Sequence, residues 1–114
     1  MSLSDTIRGY IDLMVLSVLY EEPSYGYQIS KDISDLTENQ YNIKNTTLYS
    51  ALERLVKKED LESFYGTETN GKQRTYYKIT EQGKSTYQEK CDEWHQTNEI
   101  IRHFLREGEE NGYY

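Results

Sequence analysis

Apolar residues recur at spacings of three and four along residues 4–22, SDTIRGYIDLMVLSVLYEE, which predicts an amphipathic first helix. Ser4 or Asp5 is placed to cap its amino terminus, and Pro23 ends it. The stripe consists of Ile7, Ile11, Met14, Val15, Val18 and Leu19, widened by Leu13 and Leu16. A helix that is apolar on several sides is expected to contact more than its own domain.

The segment SYGYQISKDISDLTE, residues 24–38, predicts a second helix that is capped by Ser24. Its apolar stripe is narrow and consists of Ile29, Ile33 and Leu36. Gly26 in the first turn is unfavourable for an isolated helix. We therefore expect another element to pack closely against this glycine.

The segment NTTLYSALERLVKKEDL, residues 45–61, predicts a third helix, with Asn45 or Thr46 as its cap. Two opposite faces are apparent in its periodicity. The apolar face consists of Leu48, Leu52, Leu55 and Val56, with Ala51 between them. The opposite face carries hydroxyls and positive charge, from Thr47, Ser50, Arg54 and Lys58, with Tyr49 and Lys57 beside it.

Two strands follow, LESFYGTE and KQRTYYKIT, separated by the turn residues TNG, which predicts a β-hairpin. In the second strand, Arg74, Tyr76 and Lys78 alternate with Thr75, Tyr77 and Ile79. Basic side chains therefore gather near the hairpin tip and on the returning strand.

A long helix is predicted from a Thr80 cap to Gly108, followed by a frayed tail, residues 109–114. Apolar and small polar residues recur along it at alternating spacings of four and three, a heptad pattern typical of helix pairing. The seam consists of Tyr87, Cys91, Trp94, Asn98, Ile101 and Leu105, widened by Ile100 and Phe104.

The 114 residues suffice for one domain, and their formal net charge is −7. This charge is unevenly distributed. Residues 41–58 and 70–78 each carry +3, and the rest of the chain carries −13. Such a separation can steer a polyanion to one face. Chance clustering of charges on solvated faces is the alternative explanation.

Other features exclude several classes of function. Cys91 is the single cysteine, so no internal disulfide forms. The apolar run from Leu13 to Leu19 is too short to span a bilayer, and we expect a cytoplasmic protein. Cys91 and His95, four residues apart, are a weak metal motif, and no cofactor or metal is predicted. The chain lacks a nucleophile–base motif and a phosphate-binding glycine loop, so no enzyme is predicted.

The order of three helices, a hairpin and a long helix predicts a mainly α fold, a winged helix-turn-helix with a small β-hairpin. Three stretches, LMVLSVLYEEPSYGYQI, TLYSALERLVKKEDLES and GKQRTYYKITEQGK, resemble the PadR family of transcriptional regulators. The single long C-terminal helix is similar to that of its short, multidrug-sensing subfamily. The resemblance divides the chain into a DNA-binding domain (residues 1–80), a dimerisation helix (residues 81–108) and a flexible tail (residues 109–114).

The resemblance implies that the third helix and the wing contact double-stranded DNA at an inverted-repeat operator. The expected DNA-binding residues are Tyr25, Lys44, Asn45, Thr46, Thr47, Tyr49, Ser50, Arg54, Lys72 and Arg74. Tyr49 is expected to contact phosphate, because a single hydroxyl discriminates poorly between bases.

The resemblance also implies a homodimer that a small planar effector, aromatic or cationic, releases from DNA. The expected dimer interface consists of Ile11, Val15, Tyr87, Cys91, Trp94, Ile101 and Leu105. Trp94 either packs in the dimer core or forms an aromatic wall for the ligand. Asn98 either orients that ligand or fixes the helix register.

Two functions of different classes remain open at this point. The first is a homodimeric, ligand-responsive repressor. The second is a winged-helix module that binds a protein partner and no DNA, for which the net charge of −7 is the main support.

Overall fold

The computed structural model describes residues 2–67 and 71–106, which form helices and a small three-stranded antiparallel sheet. The fold is mainly α with a winged helix-turn-helix order, as predicted. Its elements are α1 (Leu3–Ile7), a 3₁₀ turn (Arg8–Tyr10), α2 (Ile11–Val18), β1 (Ser24–Tyr25), α3 (Gly26–Leu36), α4 (Asn45–Lys57), β2 (Leu61–Thr67), β3 (Gln73–Ile79) and α5 (Glu81–Arg102).

The predicted first helix is interrupted. Ser2, rather than Ser4 or Asp5, caps α1: its Oγ accepts a 3.3 Å hydrogen bond from the Asp5 backbone N–H, and the Asp5 carboxylate accepts one from the Ser2 N–H. The 3₁₀ turn then contains Gly9, a poor helix former, and separates α1 from α2.

A strand that the sequence analysis did not predict precedes the second helix. Ser24 and Tyr25 pair with Tyr77 and Tyr76 of β3, so the sheet order is β1-β3-β2. The predicted cap at Ser24 is therefore wrong, because its backbone is used in the sheet and α3 begins at Gly26. The hairpin itself is confirmed, with a register from Leu61↔Ile79 to Thr67↔Gln73.

The core lies where α2, α3 and α4 meet the base of the hairpin. The predicted apolar face of α4 is confirmed for Leu48, Ala51, Leu52 and Leu55, which are all 0% exposed, and Val56 at its edge is half-buried. Burial of each such leucine contributes about 1.5–3 kcal/mol relative to an exposed position. The stripe predicted for the second helix is only partly correct. Ile29 and Ile33 are buried, but Leu36 at the end of α3 is 73% exposed.

The carboxyl end of α4 turns sharply into β2. Glu59 has a φ of 66°, in the left-handed region. Its N–H bonds to the Val56 carbonyl at 3.0 Å, and the Asp60 N–H bonds to the Leu55 carbonyl at 2.9 Å. This pair of bonds is a Schellman motif, which satisfies carbonyls that the helix end would leave without a partner.

Asp60 connects this turn to α5. Its side chain is buried, and its Oδ1 accepts hydrogen bonds from Gln82 Nε2 at 3.0 Å and Thr86 Oγ1 at 2.8 Å. Its backbone carbonyl accepts the Thr80 N–H at 3.0 Å. A Cβ at Gly83 would overlap that carbonyl, so glycine is required at this close approach.

The long helix begins as predicted and ends earlier. The Thr80 hydroxyl accepts a 2.9 Å hydrogen bond from the Gly83 N–H, which confirms the cap, and the helix ends at Arg102. Gly108, the tail at residues 109–114, and Thr69 and Asn70 of the predicted turn lie outside the described residues. Gly71 has a φ of 84°, as expected for the last turn residue. Among the described helices, none combines the length and apolarity needed to cross a bilayer.

Candidate nucleic-acid interface

The polar face of α4 lies beside the 3₁₀ turn and the start of α2. Thr46, Ser50 and Arg54 are exposed and Thr47 is half-buried. Together with Arg8 and Ile11 they line an open cleft of about 300 Å³. The structure thus brings four of the predicted DNA-binding residues into one surface, because the opposite face of α4 is held in the core.

A second cleft lies between α4 and the sheet, with a volume of about 570 Å³. Three further predicted residues, Tyr25, Tyr49 and Arg74, line it together with Gly26, Tyr27, Thr75 and Tyr77. The predicted close contact at Gly26 is confirmed, since the Tyr49 ring of α4 occupies the space beside it. Two clefts, one on each side of α4, therefore carry most of the predicted site.

Aromatic rings pack together across the middle of the wing. Phe64, Tyr76 and Tyr25 are direct cross-strand neighbours on β2, β3 and β1. The Phe64 and Tyr76 rings stack with centroids 5.6 Å apart, and Tyr25 meets Tyr76 edge to face at 5.5 Å. The Arg74 guanidinium lies 4.1 Å from the Tyr25 ring centroid, a cation–π contact that orients it.

The remaining predicted residues lie at the edges of this surface. Lys44 is the N-cap residue of α4 and Asn45 its first residue, and both side chains are exposed. Neither Asn45 nor Thr46 is the cap, because helical backbone already begins at Asn45, and the N-cap position forms no side-chain hydrogen bond. Lys72 is exposed at the start of the returning arm of the wing.

An acidic residue lies next to this basic surface. Asp12 of α2 forms an ion pair with Arg54, from Nη2 to Oδ1 at 2.5 Å and from Nε to Oδ2 at 3.5 Å. Neither Asp12 nor Arg8 was among the residues predicted from the sequence for this surface. A usable signal was present for Asp12, since it is the one charged residue in the otherwise apolar stretch from Tyr10 to Leu19.

Tyr77 connects the α4 surface to the sheet. Burial raises the pKa of its phenol, and the negative charge of Glu53 acts in the same direction. A phenol is protonated at neutral pH in any case, so the Tyr77 hydroxyl is a hydrogen-bond donor there, and the raised pKa extends this state to higher pH.

The predicted seam is exposed along the carboxyl-terminal half of α5 and just beyond its end. Trp94 is 41% exposed, and Ile101 and Leu105 are 50% and 45% exposed. Trp94 also lines a cleft of about 400 Å³ between α5 and the amino-terminal segment, together with Asp5, Thr6, Gly9, Tyr10, Leu13, Lys90, Glu93 and Thr97. Asn98 is exposed and does not line this cleft.

Three residues predicted at the dimer interface contact the core of their own chain, and two of them are fully buried by it. Ile11 and Val15 are 2% and 0% exposed in the protomer core, so they offer no surface to a partner. The Tyr87 ring packs against the same core, with its centroid 5.2 Å from that of Tyr20. A hydrogen bond to half-buried Cys91 is the main cause that raises the pKa of Tyr87. The first residue of the heptad pattern, Tyr87, therefore packs against the core of its own chain.

A family model described as the transcriptional regulator PadR-like family matches residues 15–89, which include α3, α4 and the wing. The chain belongs to the PadR-like family of transcriptional regulators. This membership confirms the family predicted from the sequence and the prediction that the protein is not an enzyme.

Relatives of this PadR-like regulator cover most of its length. A transcriptional regulator from Clostridium thermocellum is 49% identical, with a TM-score of 0.84 over 93% of this chain and 100% of that chain. Uncharacterized protein X of Lysinibacillus sphaericus is 44% identical over 102 residues, 90% of this chain and 94% of its own. Bacillus subtilis PadR in complex with operator DNA is 16% identical, with a TM-score of 0.64 over 71% of this chain and 46% of that one, a likeness of fold alone.

Proposed function

We propose that this PadR-like regulator is a sequence-specific, DNA-binding repressor that inserts α4 into the major groove and places the wing beside it. One observation carries the proposal: α4 buries Leu48, Ala51, Leu52 and Leu55 of its apolar face completely, while it exposes Thr46, Ser50 and Arg54 on the opposite side. Hydroxyls and guanidinium groups are the donors that contact phosphates and base edges. The Bacillus subtilis PadR of similar fold was solved with operator DNA.

The local charge supports the same surface. Residues 41–58 and 70–78 each carry +3 in a chain of net charge −7, and they contribute α4 and the returning wing strand. Phosphates are attracted to such a surface, and the acidic remainder repels DNA from other faces. Arg74 and Lys72 would then contact the backbone next to the groove that α4 enters.

We further propose a homodimer formed through α5. The exposed apolar residues Trp94, Ile100, Ile101 and Leu105 lie at or just beyond its carboxyl-terminal half. A second copy of the same surface is the simplest partner, since a two-fold pair presents the same patch from both chains. Such a dimer carries two copies of α4, so its operator is an inverted repeat with half-sites about 10 base pairs apart.

The cleft beside Trp94 is the proposed effector site. Its walls combine the rings of Trp94 and Tyr10 with two carboxylates, Glu93 and Asp5, and one ammonium group, Lys90, so acidic groups predominate. Aromatic faces and carboxylates together favour a planar cation. Binding there would release DNA only if the ligand prefers a dimer in which the two α4 helices are wrongly spaced.

The test of DNA binding is selection from a random duplex pool, followed by anisotropy titrations over a series of salt concentrations. Arg54→Ala and Lys72→Ala should each weaken binding to the selected site, and Lys72→Ala, which removes a phosphate contact, should also reduce the salt slope by about 1 per chain. The matched control is Lys31→Ala on α3, which also removes a cation paired with a carboxylate, Asp35 at 3.2 Å, outside both clefts. Failure to select any sequence, with no salt-dependent binding, would favour the protein-binding module instead.

A further inference from the structure

The Asp12 carboxylate lies beside the surface that we propose binds DNA, where its negative charge repels the phosphates. Its carboxylate is 15% exposed, and it lies next to α4 because α2 and α4 pack together in the core. The residue with which it pairs, Arg54, is 45% exposed and stands 42 positions away in the chain. The pair therefore results from tertiary packing, and it joins α2 to α4, the helix that we propose enters the major groove.

The geometry of the pair restricts the guanidinium. The carboxylate takes the edge formed by Nε and Nη2 of Arg54, with contacts of 3.5 and 2.5 Å. A guanidinium has five donors in a rigid planar fork. Those on Nη1, and the second hydrogen of Nη2, point away from the carboxylate and are available to another acceptor. An unpaired arginine would instead reach any nearby phosphate through its flexible side chain.

We infer that Asp12 is a positioning residue that sets the sequence selectivity of Arg54. It holds the guanidinium so that the Nη1–Nη2 edge reads O6 and N7 of one guanine in each half-site. Its negative charge also weakens binding to unrelated DNA, which depends on phosphate attraction alone. This inference rests on the proposed DNA-binding function and adds a residue that contacts no DNA itself.

Asp12→Asn tests the inference, because it preserves the size of the side chain and removes the charge. Anisotropy titrations would compare the selected duplex with an unrelated duplex of the same length at one fixed salt concentration. We expect Asp12→Asn to bind the unrelated duplex several-fold more tightly and to lose about tenfold in the ratio of the two affinities. Replacement of the guanine should weaken the wild type by roughly tenfold to a hundredfold, and Asp12→Asn much less.

Two controls separate positioning from a general effect of charge or folding. Asp35→Asn on α3 removes a carboxylate from the corresponding exposed pair, Lys31–Asp35, and should leave the affinity ratio unchanged. In the Arg54→Ala background, Asp12→Asn should alter guanine discrimination no further. Thermal unfolding of each variant verifies that the fold is retained.

The outcomes distinguish this inference from the function on which it rests. If the wild type binds no DNA, the DNA-binding proposal and the role of Asp12 both fail. If the wild type prefers its selected site and Asp12→Asn keeps the same affinity ratio, only the role of Asp12 is overturned. An effect of Asp12→Asn on guanine discrimination that persists unchanged without Arg54 overturns it as well, since the carboxylate would then not act by positioning that guanidinium.

Discussion

The Tyr49 side chain of α4 lies against the bare Cα of Gly26, the first residue of α3. A Cβ at position 26 would overlap the Tyr49 hydroxyl. The two helices approach closely at this point, on the floor of the cleft that also contains Tyr25 and Arg74. The glycine therefore fixes where the Tyr49 hydroxyl stands on the proposed DNA-binding surface.

The variant Gly26→Ala should displace the Tyr49 ring while the fold persists. Tyr49 is 46% exposed, so its ring can move outward into solvent. Alanine at position 26 gains about 0.5–1 kcal/mol in helix propensity, which offsets the contacts that the Tyr49 ring loses. In a Tyr49→Ala background the same change should stabilise the protein by roughly that amount. Urea unfolding of the wild type, the two single variants and the double variant measures both effects. A large destabilisation by Gly26→Ala in the Tyr49→Ala background would show that Tyr49 is not what excludes a Cβ at position 26.

Replacement of Glu59 with glycine should stabilise the protein by about 0.5–1 kcal/mol. The reason is the φ of 66° at this residue, a conformation that a Cβ disfavours and glycine adopts freely. Glu59→Ala is the matched control, since it removes the carboxylate and keeps the Cβ, and it should give no such gain. Melting temperatures of the wild type, Glu59→Gly and Glu59→Ala measure the effect. Equal stabilisation by both variants would show that loss of the Glu59 carboxylate, and not relief of the backbone conformation, is the cause.

Asp60→Ala should destabilise the protein by about 1–3 kcal/mol, because Gln82 and Thr86 would lose a buried acceptor. Thr86→Val should cost less, since it removes one donor and leaves Asp60 with its bond from Gln82. Chemical denaturation monitored by circular dichroism measures both. A loss for Thr86→Val that equals the loss for Asp60→Ala would show that the Thr86 hydroxyl, and not the network, carries the effect.

Ile101→Asp should shift the proposed dimer toward monomer by at least tenfold in dissociation constant, about 1.4 kcal/mol. The side chain is 50% exposed in one chain and lies on the seam of α5, where a partner would enclose the new charge. Gln96→Asp, an exposed position on the other side of α5, is the control and should leave the dimer intact. Sedimentation velocity at micromolar concentration tests both, and a monomeric wild type would refute the dimer.

A planar cationic dye should quench the fluorescence of Trp94, which is the only tryptophan and gives a clean signal. Stacking on the ring is worth roughly 0.5–2 kcal/mol, so Trp94→Ala should weaken dye binding by that amount in calorimetry. DNA binding without dye should be largely unchanged in this variant. Unquenched fluorescence across a broad panel of such dyes would assign Trp94 to packing alone.

The sequence by itself determined the elements whose signals are local. The periodicity of α4 separated its buried leucines from Thr47, Ser50 and Arg54, because one face of a helix repeats every three to four residues. The Thr80 cap and the hairpin of β2 and β3 followed from short stretches in the same way. In each case the residues that decide the structure are close neighbours in the chain or across one turn.

The tertiary structure decided what covers each apolar stripe and which distant residues meet. A periodic pattern identifies the apolar side of a helix without identifying its partner. For this reason Ile11 and Val15, predicted at a dimer interface, are buried in the protomer, and Leu36 is exposed. The pairing of β1 with β3 and of Asp12 with Arg54 depends on packing between segments about 40 residues or more apart, which no local pattern encodes.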